Sequence, residues 1–245
     1  MPVIGWMLDG EIVTFEEAER FAERYGDWRG WTPFALEAMR KQVARIDGLW
    51  ISPSQALECP RLRILKPVVP YYVNPEYTWA ALVGSAVHAR ILVGEGVELP
   101  LSADLDVGDE SIPVMGTCDY FRDGVLYDVK VTSRLVSEAK LEHVFQVNVY
   151  KWLLEQNGYE VRAARIWYVT PYQRGVKRRL IEVDLMPRDE VEAWLREIAQ
   201  PLVAFRRTGV LPPCRCESTQ FYYPHPCHVE GAEKHAEEHY AQRVR

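Results

Sequence analysis

The sequence has no excess of positive charge, no long apolar run, no internal repeat and no low-complexity tract. Its 29 Lys and Arg stand against 35 Asp and Glu, a formal net charge of −6 over 245 residues. That balance excludes a polycationic, histone-like binder whose whole surface serves phosphate. It leaves room for a nucleic-acid enzyme whose cleft carries a cation of its own. No stretch approaches the roughly 20 apolar residues a membrane span needs. No basic run opens the chain either: Met1–Trp6 is followed by Asp9 and Glu11, so no secretory signal is expected and an intracellular, cytoplasmic setting is. Cysteine is sparse and odd in number, with Cys59, Cys118 and a group at Cys214, Cys216 and Cys227. Under reducing conditions such clustering points to metal more than to disulfides.

With 48% apolar and 26% charged residues, the chain can fold around a sizeable core. Residues 1–50 read as a helical extension, with Thr14 and Glu17 forming a capping box and Thr32-Pro33 opening a second helix to about Ile46. Ser52-Pro53-Ser54 repeats the cap-and-proline start, and Pro67–Pro75 reads as a connector. Residues 77–93 read as a helix, and strands follow from Ile112. A long helix is expected over 135–156, then strands at Ala163–Thr170 and Lys177–Asp184 around the turn-like Pro171–Gly175. A helix from Pro187 to about Arg207 leads into the Cys- and His-rich segment, and a charged helix starts near Glu230. The order of elements predicts a mixed α/β fold with a central sheet flanked by helices. Residues 51–228 form the main domain in this reading, with 229–245 as a charged C-terminal helix.

Asp123-Gly124 between apolar segments is a strong hairpin signal. A two-residue turn there sets Asp119 opposite Asp128, with their Cβ atoms roughly 5 Å apart on one face, and the period of two adds Lys130. Two such carboxylates repel and call for positive charge, from Lys130 and from a divalent cation such as Mg²⁺ or Mn²⁺. The carbonyl of Val129 is a candidate further ligand. On the flanking helices, His88 offers an imidazole, while Glu142, Gln146 and Tyr150 follow at i, i+4 and i+8 on one helix face. The plain alternative is a solvated hairpin with a cross-strand ion pair and a polar helix stripe.

Taken in order, Gly84-x-x-x-His88, Gly116-x-x-Asp119, Asp128-Val129-Lys130 and Gln146-x-x-x-Tyr150 resemble the site motifs of the RecB-like nucleases of the PD-(D/E)XK superfamily, over about residues 52–228. The resemblance implies a restriction-endonuclease-like fold and metal-dependent DNA hydrolysis, usually from an end, in recombination, repair or CRISPR-type processing in bacteria, archaea or phage. It implies His88, Asp119, Asp128 and the Val129 carbonyl as ligands of Mg²⁺ or Mn²⁺, Lys130 as the catalytic lysine, and Gln146 and Tyr150 as the motif positioning DNA. An endonuclease or flap nuclease, or a non-catalytic DNA-binding or assembly module, is the alternative. One cysteine before this region and three after it are similar to the four-cysteine iron–sulfur branch that includes CRISPR-adaptation and phage exonucleases. Cys59, Cys214, Cys216 and Cys227 would then hold a [4Fe–4S] cluster or Zn²⁺. The trailing group is Cys214-Arg215-Cys216 where that branch commonly has Cys-x-x-Cys, and His225 or His228 could replace a thiol in a zinc site. Cys118 is expected to be a buried small side chain. Expected partners are DNA, single-stranded or end-containing, and a further copy or a repair protein, with no membrane. Phosphate contacts are expected from Arg61, Arg63 and Lys66, from Arg162, Arg165, Arg174 and Lys177–Arg179, and from Arg206 and Arg207. Tyr71, Tyr72 and Trp79 are candidate stacking rings.

Overall fold

The structure is a computed structural model that describes residues 3–43, 49–170, 176–216 and 222–241. It opens with a hairpin, β1 (Val3–Leu8) and β2 (Glu11–Thr14). Helix α1 (Phe15–Tyr25) starts at the capping box read from the sequence: the Thr14 hydroxyl accepts from Glu17 N, and the Glu17 carboxylate accepts from Thr14 N at 2.9 Å. Helix α2 (Pro33–Gln42) has Pro in its first turn, and its expected extension to Ile46 falls outside the described residues. After a single 3₁₀ turn at Pro53–Gln55 come α3 (Pro60–Leu65), β3 (Tyr71–Val73) and α4 (Pro75–Ile91). The strands β4 (Val97–Val107), β5 (Glu110–Arg122) and β6 (Val125–Val131) lead to α5 (Leu141–Gln156). Then follow β7 (Ala163–Thr170), β8 (Lys177–Val183), α6 (Arg188–Thr208), β9 (Tyr222–Tyr223), a 3₁₀ turn at Pro226–His228, and α7 (Ala232–Ala241).

These elements make a mixed α/β fold with two sheets, in two compact units. The first comprises residues 1–48, 59–85 and 204–245 and holds the sheet β2-β1-β3-β9. Trp6, Phe15, Leu36 and Met39 close its core, with Trp6 and Phe15 rings edge to face at 4.7 Å. The helices expected at the N-terminus are present, but a hairpin precedes them and β3 occupies the expected connector. Both depend on pairing between distant segments, β1 running parallel to β3, which local pattern does not reveal.

The second unit comprises residues 49–58 and 86–203, with the sheet β4-β5-β6-β7-β8. Only the β6–β7 pair is parallel; the others are antiparallel. Helix α5 lies against one sheet face, in contact with β4 to β7. Buried Asn148 fixes it there, donating to Asp184 O and accepting from Met186 N at 2.8 Å. The part of α6 within this unit packs on α5 through the stacked Phe145 and Trp194 rings. Strand β4, which the sequence reading passed over, pairs along β5 from Val97↔Tyr120 to Val107↔Glu110. Among the described residues, no helix is long and apolar enough to cross a membrane.

Candidate functional site

The turn at Asp123-Gly124 has φ of 49° and 75°, the left-handed pair that a two-residue hairpin needs. Its register is the one expected: Arg122↔Val125, Phe121↔Leu126 and Tyr120↔Tyr127. There the ladder stops. Beyond it Ile51 takes over the freed edge of β5, bridging Val114, with Ile51 N donating to Pro113 O and Met115 N to Ile51 O, both at 2.9 Å. The strands part, and the Asp119 carboxylate fills the gap by accepting the Val129 N–H at 2.7 Å. Asp119 therefore holds the backbone of β6, and it lies near enough to Asp128 to raise that carboxyl.

The remaining expected groups converge on this fork. His88 Nδ1 lies 3.6 Å from Asp119 Oδ1. Lys130 Nζ donates to Asp128 Oδ1 at 3.1 Å and to Gln146 Oε1 at 2.9 Å. Asp128 is 1% exposed, and both its oxygens lie against the Lys130 ammonium, Oδ2 at 2.9 Å. Burial pushes its carboxyl up to about 6 against the pull of Lys130, and Asp119 adds to the rise. A buried carboxylate that shares one ammonium between its two oxygens, beside a second carboxylate and an imidazole, suits a hard divalent cation.

Gln146 and Tyr150, one turn apart on α5, are both buried. Burial, then Asp128 and Asp119, raise the Tyr150 phenol above its ordinary value, with Gln146 counteracting. The Tyr150 ring packs where Gly116 leaves room: a Cβ there would stand 3.0 Å from Tyr150 Cε1 and 2.8 Å from Pro53 Cδ. So Gly116 and the buried Pro53 seat the helix that holds Lys130. Glu142, the outer end of the expected stripe, is exposed and lies 3.7 Å from Lys140 instead.

The sequence reading missed His143 and Tyr168. Tyr168 pairs in register with Lys130, accepts the Lys140 N–H at 3.2 Å and lies 2.7 Å from His143 Nδ1. Burial, then the Lys130 charge, push His143 down to about 4. Only His143 had a local signal, one turn before Gln146 on the same helix; the place of Tyr168 beside Lys130 is set by the parallel β6–β7 register.

In the first unit, Cys59, Cys214, Cys216 and Cys227 bring their four sulfurs within 4.8 Å of one another, a cluster able to coordinate a metal. Cys59 precedes α3, and Cys227 lies in the 3₁₀ turn at Pro226–His228. The Cys216 and Cys227 sulfurs are 3.7 Å apart. Burial alone would raise the Cys59 thiol, but the N–H groups of Arg215, Leu62 and Arg61 and the Cys216 side chain hold it below its ordinary value. His228 Nε2 lies 3.7 Å from Cys214 Sγ, at the rim of the group. Cys118, in the second unit, is buried and pushed up to about 12, chiefly by burial.

Several expected phosphate contacts are buried or engaged within the first unit instead. Arg61 pairs with Glu233 at 2.7 Å, and Arg63 and Lys66 are buried, Lys66 over the Tyr222 ring. Tyr71 is buried, and Trp79 packs on Trp31 with centroids 5.6 Å apart. Lys177 and Arg178 are exposed on β8; Arg174 and its turn fall outside the described residues.

A solved structure described as SSO0001 aligns over 75% of this chain and 96% of its own, with 15% identity and a TM-score of 0.50, a likeness of fold. A putative exonuclease from Eubacterium rectale aligns over 59% of each chain, with 19% identity and a TM-score of 0.39. No curated protein matches the chain. The model of the PD-(D/E)XK nuclease superfamily matches residues 94–220, which carry Asp119, Asp128, Lys130, Gln146 and Tyr150 in one stretch. More than half of the sequence lies within that match, and the chain belongs to the PD-(D/E)XK nuclease superfamily.

Proposed function

We propose that the protein is a divalent-metal-dependent DNA exonuclease, hydrolysing phosphodiester bonds from DNA ends. The observation that carries this reading is the convergence of the buried Asp128 carboxylate with Asp119, His88 and Lys130. Asp119, Asp128, His88 and the Val129 carbonyl would hold Mg²⁺ or Mn²⁺. When bound, such an ion polarises a phosphodiester and lowers the pKa of water. Lys130, held between Asp128 and Gln146, directs its ammonium at the phosphate oxygens on which charge develops. Buried Gln146 positions Lys130, and Gln146 and Tyr150 together would position the DNA strand. Asp119 keeps β6 in place through the Val129 N–H, so its loss would disturb ligand and scaffold together.

The cysteine quartet follows the order of the iron–sulfur branch, and we propose a [4Fe–4S] cluster there. A second reading rests on spacing. A single tetrahedral ion with sulfurs at about 2.3 Å sets them about 3.8 Å apart. The 3.7 Å between Cys216 and Cys227 suits Zn²⁺ as it stands, whereas a cluster requires the thiols to open. Anaerobic preparation and metal analysis separate the two: iron and sulfide support the cluster, and colourless zinc-loaded protein supports the single ion.

The function is tested with end-labelled linear DNA beside a covalently closed circle, in Mn²⁺. The linear substrate should be consumed and the circle spared. Equal cutting of both would make the protein an endonuclease of the same fold.

A further inference from the structure

Side chains alternate along β6, so Tyr127 and Val129 face away from Asp128 and Lys130. On that opposite face the second unit has a groove of about 580 Å³, crossing the sheet from Val97 on β4 to Arg178 and Leu180 on β8. Its floor is aromatic. Tyr120 and Tyr127 are cross-strand partners with ring centroids 5.7 Å apart, and Trp167 sits beside Val129 on the next strand. None of the three rings is fully buried, and Leu180, paired with Trp167, is 52% exposed. Cations flank the rings. Arg165 lies over Tyr127 at 5.8 Å and bonds its hydroxyl at 3.0 Å, although Glu182 stands opposite it in register. Arg178 is exposed and has no acidic partner among the described residues. One wall is the end of α4, where Ile91 stands about one turn beyond His88.

We propose that this groove is a subsite for a single strand of DNA, with bases stacked on Tyr120, Tyr127 and Trp167 and phosphates held by Arg178 and Arg165. The proposal rests on the nuclease reading and deepens it by placing a strand-binding surface on the back of the catalytic strand. Open rings on adjacent strands give bases of any sequence a face to stack on, and flanking arginines supply charge for the backbone. The volume accommodates a nucleotide-sized group. In a chain of net charge −6, exposed cations beside open rings complement an anionic, base-bearing polymer. A duplex keeps its bases stacked inside and cannot use such a floor.

The test is fluorescence anisotropy with a fluorescein-labelled oligothymidylate of about 15 nucleotides, using the full chain in buffer without divalent ions, so that binding is read apart from cleavage. Trp167→Ala should weaken binding about 5- to 100-fold, and Trp167→Tyr, which keeps a ring, should restore most of it. Arg178→Ala should reduce the steepness of the salt dependence by about 0.7 in log–log slope. Leu180→Glu, at an exposed edge position, should also weaken the single strand and keeps the test sound if Trp167→Ala folds poorly. Blunt duplex of equal length should be insensitive to all of these. Wild-type affinity in both Arg178→Ala and Leu180→Glu would overturn the proposal, as would sedimentation as a dimer that Leu180→Glu dissociates. Hydrolysis in Mn²⁺ with groove-insensitive binding would remove the groove alone. Groove-dependent binding without hydrolysis would remove the nuclease reading and leave the groove.

Discussion

Asp128 and His143 flank Lys130 and are perturbed in opposite senses, which gives the site a pH signature. Burial and Lys130 push His143 down to about 4 from 6.5. The unfolded chain therefore takes up a proton that the native state refuses, and stability present above pH 6.5 is lost as the pH falls towards 4. Asp128, pushed up to about 6 from 3.8, behaves in reverse: its contribution is present below pH 3.8 and lost as the pH rises through about 6. Thermal unfolding across pH 4–6.5 should show His143→Gln flattening the acid-side loss by about 1 kcal/mol, a figure discounted for the ring's partial exposure. An unchanged pH profile would mean that His143 is not held neutral beside Lys130. Gly116 gives a second prediction at this scale. Its absent Cβ is the space filled by Tyr150 and Pro53, so Gly116→Ala should destabilise by about 1–3 kcal/mol in denaturant unfolding and reduce hydrolysis through Lys130. Unaltered stability would contradict the packing described. The glycine was visible in the sequence only as part of a motif, because the ring it accommodates lies 34 positions later, at Tyr150.

At the scale of elements, the two hairpins show what local pattern can and cannot reveal. Asp123-Gly124 yielded the correct register, since two left-handed residues in succession dictate the turn. The same dipeptide at Asp9-Gly10, with φ of 50° and 81°, makes the β1–β2 turn, within the stretch read from the sequence as a helical extension. The fork at Asp119 was not legible at all, because it depends on Ile51 capturing the edge of β5 from more than sixty positions upstream. The cysteines were legible as a set, and their convergence joins the start of α3 to the turn before α7. A metal centre there should clasp the first unit. Cys59→Ser or Cys227→Ser should lose the metal by elemental analysis and lower the Tm by more than about 10 °C, because such centres contribute several kcal/mol to folding. Full metal content with an unaltered Tm would show that the thiols merely lie close together.

Over the whole molecule, net charge conceals a division of labour among the cations. Arg63 and Lys66 are buried in the first unit and Arg61 is engaged by Glu233, while Lys177 and Arg178 remain exposed on β8. Charge counts treat these groups alike; burial separates them, and burial depends on the tertiary fold. We propose Asp119, Asp128 and Lys130 as a catalytic cation site. Its most direct test is Mn²⁺-dependent hydrolysis of linear DNA by Asp119→Ala and Lys130→Ala, each first shown by circular dichroism to be folded. Both should lose activity by about 10²-fold or more. Hydrolysis at the wild-type rate in either folded variant would contradict the assignment.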